Sequence, residues 1–297
     1  MNPIQRIPTI ELLDSWLAAE TAVIYFGDSS LTNVSPLDEN KDPIHIMLQD
    51  SVAQSVGGVP HSAYHLGLYA EFAHYIAAQE TQPDVVIVPI NLRSFSPIWD
   101  IGPSFQFDKE TLYLRENNPL WLKAFYTPLS IFRWYTPSVS HQEYVDTAVY
   151  DGTEQVGTVR EFNDILTSGV TAESREASLI YSYMAQIPPD HRKLKAMIEL
   201  VDTYQSHNID VILYITPIDY QFGESLLGER FTVQVENNTV VISQLLADKD
   251  VQLLDLTFAL ESEFFNWDKY PNEHLTEHGR SFIADQLAHE LNQLGVE

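Results

Sequence analysis

Short apolar runs alternate along the chain with stretches whose apolar residues recur at helical spacing. The runs have the length of a strand and occupy residues 21–26, 55–59, 85–90, 211–215 and 251–256. Helical patterns lie between them, at residues 9–19, 42–53, 62–79, 189–206 and 231–247, and a closing helix follows Leu275. We expect the second helix to begin with Asp42 as its cap and Pro43 in its first turn.

This alternation predicts an α/β fold. Strands that are apolar on both faces are typical of a parallel sheet covered on each side, with crossover connections. We therefore expect a three-layer α/β/α sandwich with a mainly parallel sheet, spanning residues 1–297 as one domain. Residues 97–187 interrupt the pattern with many aromatic residues and no clear period, and we interpret them as an insertion or cap subdomain. For residues 121–135, packing on the main domain is favoured over an amphipathic membrane contact, because basic residues are few.

Composition and charge narrow the classes of function. The 297 residues are 44% hydrophobic and 20% charged, which excludes a disordered chain. A net charge of −26 repels phosphate backbones, so we expect no nucleic-acid partner. Cysteine is absent, which removes disulfides, thiolate zinc sites and cysteine nucleophiles. We expect no membrane span, because no run approaches about 20 apolar residues. The first twenty residues lack an apolar signal core, and both a cytoplasmic location and export with the signal removed stay open.

Residues that can perform chemistry follow three of the predicted elements. Ser29 comes directly after the first strand and Gly27, Asn91 follows the third strand, and His274 precedes the closing helix. Ligands collect at the carboxyl ends of parallel strands, so a nucleophilic hydroxyl, an oxyanion-binding amide and a general base are expected at one edge of the sheet. The alternative use of Ser29 and of Ser30 is to cap the next helix.

These residues resemble the sequence blocks of the SGNH, or GDSL-type, esterases and acyl-hydrolases. The first block is Gly27-Asp28-Ser29, the asparagine block corresponds to Asn91, and the last block contains His274, Leu275, Thr276 and Gly279. The resemblance implies a flavodoxin-like SGNH hydrolase fold. It also implies Ser29 as nucleophile, His274 as base and Asn91 as oxyanion donor. We expect no cofactor, and no metal, because the spacings of His274 with His278 and of His61 with His65 carry no zinc signature.

The chain departs from the family pattern in two places. The family usually has an aspartate three residues before the histidine, and here that position is Pro271. We rank Asp268 first as the orienting acid, ahead of Asn272 and of a Ser-His dyad aided by a backbone carbonyl. The family's glycine block has no clear counterpart, and the Ala63 amide is the candidate, provided that its φ is ordinary.

Arg93 follows the asparagine block, and its guanidinium can bind a carboxylate or sugar hydroxyls of a substrate or form a structural salt bridge.

The function that we expect is serine-dependent hydrolysis of small acyl esters, with O-acetyl esters on carbohydrate as a candidate substrate. Two alternatives stay open: an O-acyltransferase at the same site, and a non-catalytic carbohydrate-binding or assembly domain. A nucleotide-binding protein is disfavoured because no Walker A or Gly-x-Gly-x-x-Gly turn follows a strand.

Overall fold

The central feature of the fold is a parallel sheet. It is described from a computed structural model of the chain, which covers residues 7–115, 139–267 and 269–295. Within these residues the main sheet has five strands in the order β2-β1-β3-β6-β7, and every neighbouring pair is parallel. Its strands are β1 (Val23–Gly27), β2 (Val56–Pro60), β3 (Val85–Ile90), β6 (Asp210–Ile215) and β7 (Gln252–Asp255).

Helices connect these strands and cover both faces of the sheet. The helices outside the insertion are α1 (Pro8–Ala18), α2 (Ser29–Thr32), α3 (Ile44–Ser51), α4 (Leu66–Ala77), α10 (Arg192–Gln205), α11 (Tyr220–Leu227), α12 (Glu229–Leu246) and α13 (Glu277–Leu294). Successive residues of a strand point to opposite faces. On β1, Phe26 belongs to the core that includes residues of α1, α4, α10 and α12, whereas Tyr25 belongs to the core that includes residues of α3 and α13. The predicted three-layer α/β/α sandwich with a parallel sheet is confirmed.

The strand order places a switch point between β1 and β3. If the five strands are numbered 1 to 5 in chain order, the sheet has the flavodoxin-like order 2-1-3-4-5. The connection that leaves β1 leads towards one edge of the sheet, and the connection that leaves β3 leads towards the other edge. The register pairs Val23 of β1 with both Val56 of β2 and Val85 of β3. The residues that follow β1 and β3 therefore emerge side by side at the carboxyl edge, where ligands of such sheets bind.

Three helix predictions differ from the structure. Helix α3 begins at Ile44 with Pro43 at its N-cap and no side-chain cap, so Asp42 is not the cap. Helix α4 begins at Leu66 rather than near residue 62, because residues 61–64 form a turn. Helix α11 was not predicted, because Gly223 near its centre weakens the helical pattern. Glycine is required at this position because a Cβ would lie 2.2 Å from the Phe231 ring.

The described parts of the predicted insertion form short elements. They are α5 (Pro97–Ile101), α6 (Asp108–Leu114), α7 (His141–Val145), β4 (Ala148–Asp151), β5 (Glu154–Thr158), α8 (Val159–Thr167) and α9 (Ala172–Leu179), followed by a π-helical turn at Ile180–Met184. Strands β4 and β5 form an antiparallel hairpin, and a small core around Phe162 and Tyr181 is separate from the two cores that cover the sheet. The single-domain organisation with a cap stays a prediction, and residues 121–135 lie outside the described residues. Among the described helices, none has the length and apolar character needed to cross a membrane.

Candidate active site

The turn after β1 exposes one serine hydroxyl. Gly27 ends the strand where a Cβ would lie 2.5 Å from the Leu31 side chain, so the turn requires glycine. Asp28 caps α2, because its carboxylate accepts a hydrogen bond of 2.8 Å from the Ser30 N–H. Ser29 is the first residue of α2 and is half-buried. The alternative in which the serines cap the helix is therefore wrong, because Asp28 does so.

His274 reaches this serine from the other end of the chain. The Nε2 atom of His274 lies 3.1 Å from the Ser29 Oγ, across 245 positions of sequence. The loop before α13 holds the backbone of His274: Asn266 N–H donates to the His274 carbonyl at 2.8 Å. Thr276 caps α13, as predicted, by accepting from the Gly279 N–H. The loop thus fixes the backbone from which the imidazole extends.

Asn91 occupies the corresponding position after β3. Its Nδ2 donates to the Asp28 carboxylate at 2.7 Å, and its Oδ1 accepts from the Arg93 N–H at 2.9 Å. An amide nitrogen carries two N–H donors, so one remains for another acceptor. Asn91 is buried and lines the same small pocket as Ser29. The structure therefore brings the predicted nucleophile, base and oxyanion amide to one edge of the sheet.

Ala63 also lines this pocket, but its backbone is not ordinary. Its φ of +67° lies in the left-handed region that favours glycine, so the expectation of an ordinary φ is wrong. Ala63 is the third residue of a turn closed by the Tyr64 N–H and the His61 carbonyl, a position that takes positive φ in type II turns. His61 N–H in turn donates to the Gly27 carbonyl at 3.0 Å. The backbone N–H groups of Ser29 and Ala63 have no hydrogen-bond partner among the described residues.

Arg93 forms a salt bridge inside the protein. Its Nη2 lies 2.8 Å from an oxygen of Glu273, and its Cζ lies 5.3 Å from the centroid of the Trp99 ring. Arg93 still lines the pocket. Trp99 also contacts the Phe105 ring, with centroids 4.3 Å apart. Of the two interpretations of Arg93, the structure gives the structural salt bridge; binding of substrate by the same guanidinium stays a prediction.

Glu273 and Tyr183 were missed in the sequence. The side chain of Glu273 is 1% exposed, and the Tyr183 hydroxyl donates to its second oxygen at 2.5 Å. Burial and the Glu273 carboxylate raise the pKa of Tyr183, so its phenol keeps the proton that it donates. Burial opposes the charge of Arg93, but the Glu273 carboxylate, with Tyr183 and Asp28, raises the pKa of the guanidinium. The only sequence signal for Glu273 is its place directly before His274, and Tyr183 lies in the aperiodic insertion.

Of the two side chains considered for orienting the His274 imidazole, Asn272 lies within the described residues. Asp268 lies outside the described residues, so its role stays a prediction. The Asn272 side chain accepts from the His274 backbone N–H at 2.8 Å and donates to the Tyr270 carbonyl. Asn272 therefore supports the backbone of the loop, and this weakens its candidacy as the group that orients the imidazole.

A cluster of charged residues packs behind the pocket. Lys193 is fully buried, and its ammonium donates to the carbonyls of Ser94 and Trp99 and lies 3.5 Å from Asp100. Burial is the main reason why the pKa of Lys193 falls to about 7, although the Asp100 carboxylate opposes the fall. Within the described ranges no group of three or more His, Asp or Glu is arranged to hold a metal ion.

No protein-family model matches the chain, and no curated protein is similar to it. Solved structures do resemble it, including a lipolytic protein of the G-D-S-L family from Desulfitobacterium hafniense (12% identity, 91% of this chain and 98% of that chain, TM-score 0.42). Axe2, an acetylxylan esterase from Geobacillus stearothermophilus, is similar at 13% identity over 93% of this chain and 95% of its own, with a TM-score of 0.43. An aryl esterase from M. smegmatis is similar at 11% identity over 92% and 98%, with a TM-score of 0.38. The chain thus resembles G-D-S-L proteins and esterases, but at these identities and scores its chemistry must be argued from its own residues.

Proposed function

We propose that the chain is an SGNH-type serine hydrolase that cleaves small acyl esters, with Ser29 as nucleophile and His274 as general base. The observation that carries the proposal is the 3.1 Å contact between the Ser29 Oγ and the His274 Nε2. A serine hydroxyl is a weak nucleophile until a base within hydrogen-bond reach accepts its proton. The two residues meet at the switch point of the sheet, where α/β proteins of this topology bind their ligands.

The reaction proceeds in two steps. The Ser29 Oγ attacks the ester carbonyl while the His274 Nε2 takes the hydroxyl proton, and His274 then gives this proton to the departing alcohol. In the second step water attacks the acyl-serine while His274 takes its proton, and His274 returns this proton to the Ser29 Oγ as the carboxylic acid leaves. Asp268 is the proposed partner that orients the imidazole and stabilises its charged form.

The proposed oxyanion hole uses three N–H donors: the backbone amides of Ser29 and Ala63 and the second N–H of Asn91. The absence of other partners for the two amides among the described residues supports this role. Asn91 is held by Asp28, so its free N–H does not need to reorient when negative charge develops on the carbonyl oxygen.

The substrate class of the proposal is a small acyl ester, with O-acetyl groups on carbohydrate as the candidate. Tyr64 and Trp99 limit the space beside Ser29, which favours a short acyl group. The same acyl-serine can pass its acyl group to a sugar hydroxyl instead of water, and the O-acyltransferase is then the activity. A non-catalytic carbohydrate-binding or assembly domain is the remaining alternative.

Turnover of p-nitrophenyl acetate by matched variants tests the proposal. We expect Ser29→Ala and His274→Ala to lower kcat by about 10³-fold or more, whereas Ser30→Ala, the adjacent serine, keeps wild-type turnover within about threefold. Turnover that rises when a sugar alcohol is added would identify the acyltransferase. Equal rates for wild type, Ser29→Ala and His274→Ala would contradict a serine hydrolase.

A further inference from the structure

The wall of the pocket beside Ser29 carries a guanidinium whose charge is compensated from inside the protein. Arg93 is 18% exposed, and Glu273, its ionic partner, is 1% exposed. Within the described part of the chain the Arg93 guanidinium donates no hydrogen bond, its contact with Glu273 being an ion pair, and an arginine has five N–H donors. Donors thus remain for a substrate atom, although the positive charge is already paired.

The compensation of this charge is built into the fold. Tyr183 donates to one Glu273 oxygen, whereas the other oxygen accepts no hydrogen bond and is held by the Arg93 charge as an ion pair. A buried carboxylate without its cation carries a large desolvation cost, which holds Arg93 and Glu273 together. The carboxylate of a substrate would have to compete with Glu273 for this guanidinium.

The other charges near the pocket do not favour an anion. Asp28 lines the pocket and is buried, and its carboxylate accepts from the Ser30 N–H and from Asn91. The ammonium of Lys193 lies behind Ser94 and Trp99, where it donates to both carbonyls and shares Asp100 with Arg192. The whole chain adds a net charge of −26, which repels anionic ligands at longer range.

We propose that Glu273 is a specificity-determining residue: by neutralising Arg93 it makes the pocket select neutral esters over esters that carry a carboxylate or phosphate beside the acyl group. The N–H donors of Arg93 then bind hydroxyl or carbonyl oxygens of a neutral substrate. This inference rests on the proposed esterase function and deepens it by naming the charge class of the substrate.

The test compares two nearly isosteric acetate esters, neutral 4-acetoxybenzamide and anionic 4-acetoxybenzoate. Each kcat/KM is divided by the rate of hydrolysis of the same ester by hydroxide. We expect wild type to favour the neutral ester by at least tenfold. Glu273→Gln keeps an acceptor for Tyr183 but leaves the Arg93 charge uncompensated, so the preference is expected to fall at least fivefold. The double variant Arg93→Gln/Glu273→Gln, neutral again, is expected to recover most of the wild-type preference.

Tyr183→Phe is the matched control, because it removes the hydrogen bond to Glu273 without changing any charge, and its preference is expected to stay within twofold of wild type. Equal preference for both esters in wild type, or a Glu273→Gln variant that loses both activities in equal proportion, would overturn the inference while leaving the esterase intact. If neither ester is hydrolysed, labelling of Ser29 by a neutral and a carboxylate-bearing aryl phosphonate must give the same order of preference. Failure of both esters and both probes would contradict the proposed function itself.

Discussion

The two halves of the candidate site are held by different kinds of contact. Ser29 and Asn91 directly follow strands β1 and β3, so the register of a buried sheet fixes their positions. His274 and Glu273 lie on a loop that is held by polar contacts with distant segments, such as the Tyr183 hydroxyl. The comparison teaches that backbone register places Ser29 and Asn91, whereas side-chain contacts place His274 and Glu273.

Beyond Ser29 and His274 themselves, the largest effect is expected at Asp268. Asp268→Asn should lower kcat by at least about 100-fold, because a working triad carboxylate contributes orders of magnitude. Steady-state kinetics with p-nitrophenyl acetate measures it, and Glu263→Gln, an exposed carboxylate in the same loop, is the control with unchanged turnover. Turnover of Asp268→Asn within about threefold of wild type would favour a Ser-His dyad.

The next prediction compares one asparagine from each half. Asn91→Ala should lower kcat by about 10²-fold or more, because it removes a proposed oxyanion donor together with the donor to Asp28. Asn272→Ala removes the acceptor of the His274 backbone N–H and the donor to the Tyr270 carbonyl, but no proposed oxyanion donor, so its loss is expected to be less than about tenfold. A larger loss for Asn272→Ala than for Asn91→Ala would reverse the comparison.

A third prediction concerns pH and the segment behind the pocket. Burial, with the Lys193 charge as a smaller cause, lowers the pKa of His65 to about 3. The Nδ1 of His65 accepts from the Gly67 N–H and caps α4, while Nε2 contacts the Phe105 carbonyl at 3.0 Å, so the imidazole is neutral. Because the unfolded chain binds the proton near pH 6.5 and the folded chain near 3, this contribution to stability is complete above pH 6.5 and is lost as the pH falls.

Chemical denaturation at pH 6.5 and pH 5 measures this effect. We expect wild type to lose about 1 to 2 kcal/mol more than His65→Asn over this interval, because the loss approaches about 1.4 kcal/mol for each pH unit. Asparagine keeps a capping acceptor and does not titrate. The same loss in both proteins would show that His65 does not carry the acid sensitivity.

The smallest effect is expected at Ala63. Ala63→Gly removes the backbone strain of a left-handed alanine, which costs about 1 to 2 kcal/mol of stability. Part of this gain is lost because glycine raises the conformational entropy of the unfolded chain. We expect a net gain of about 1 kcal/mol or less in the free energy of unfolding, with kcat within about threefold, since the amide donor is retained. Destabilisation by Ala63→Gly would contradict relief of backbone strain.

The fold was predictable because buried strands have a strong apolar signal. Residues 85–90 were predicted as a strand and form β3, and the other strands agree within one or two residues. Helix α11 could not be found, because Gly223 weakens its pattern and is explained only by the Phe231 ring that packs on it. The positive φ of Ala63 likewise depends on the turn that joins it to β1.

The arrangement of the candidate site was predictable where sequence position alone determines spatial position. Ser29 and Asn91 follow strands, and His274 precedes a capped helix, so each could be named before the structure was known. The ionic partner of Arg93 could not be predicted from the sequence. Glu273 reaches Arg93 only when the loop before α13 packs against the turn after β3. The contacts of Glu273 with Arg93 and with Tyr183 are long-range, and no local pattern encodes them.

Covalent labelling of Ser29 tests the central claim most directly. A fluorophosphonate probe reacts with an activated serine without requiring the natural acyl group, and mass spectrometry locates the modified residue. We predict one label per chain, on Ser29 and not on Ser30, with labelling abolished in His274→Ala. Label on Ser30, or labelling of Ser29 that is unchanged in His274→Ala, would contradict activation of Ser29 by His274.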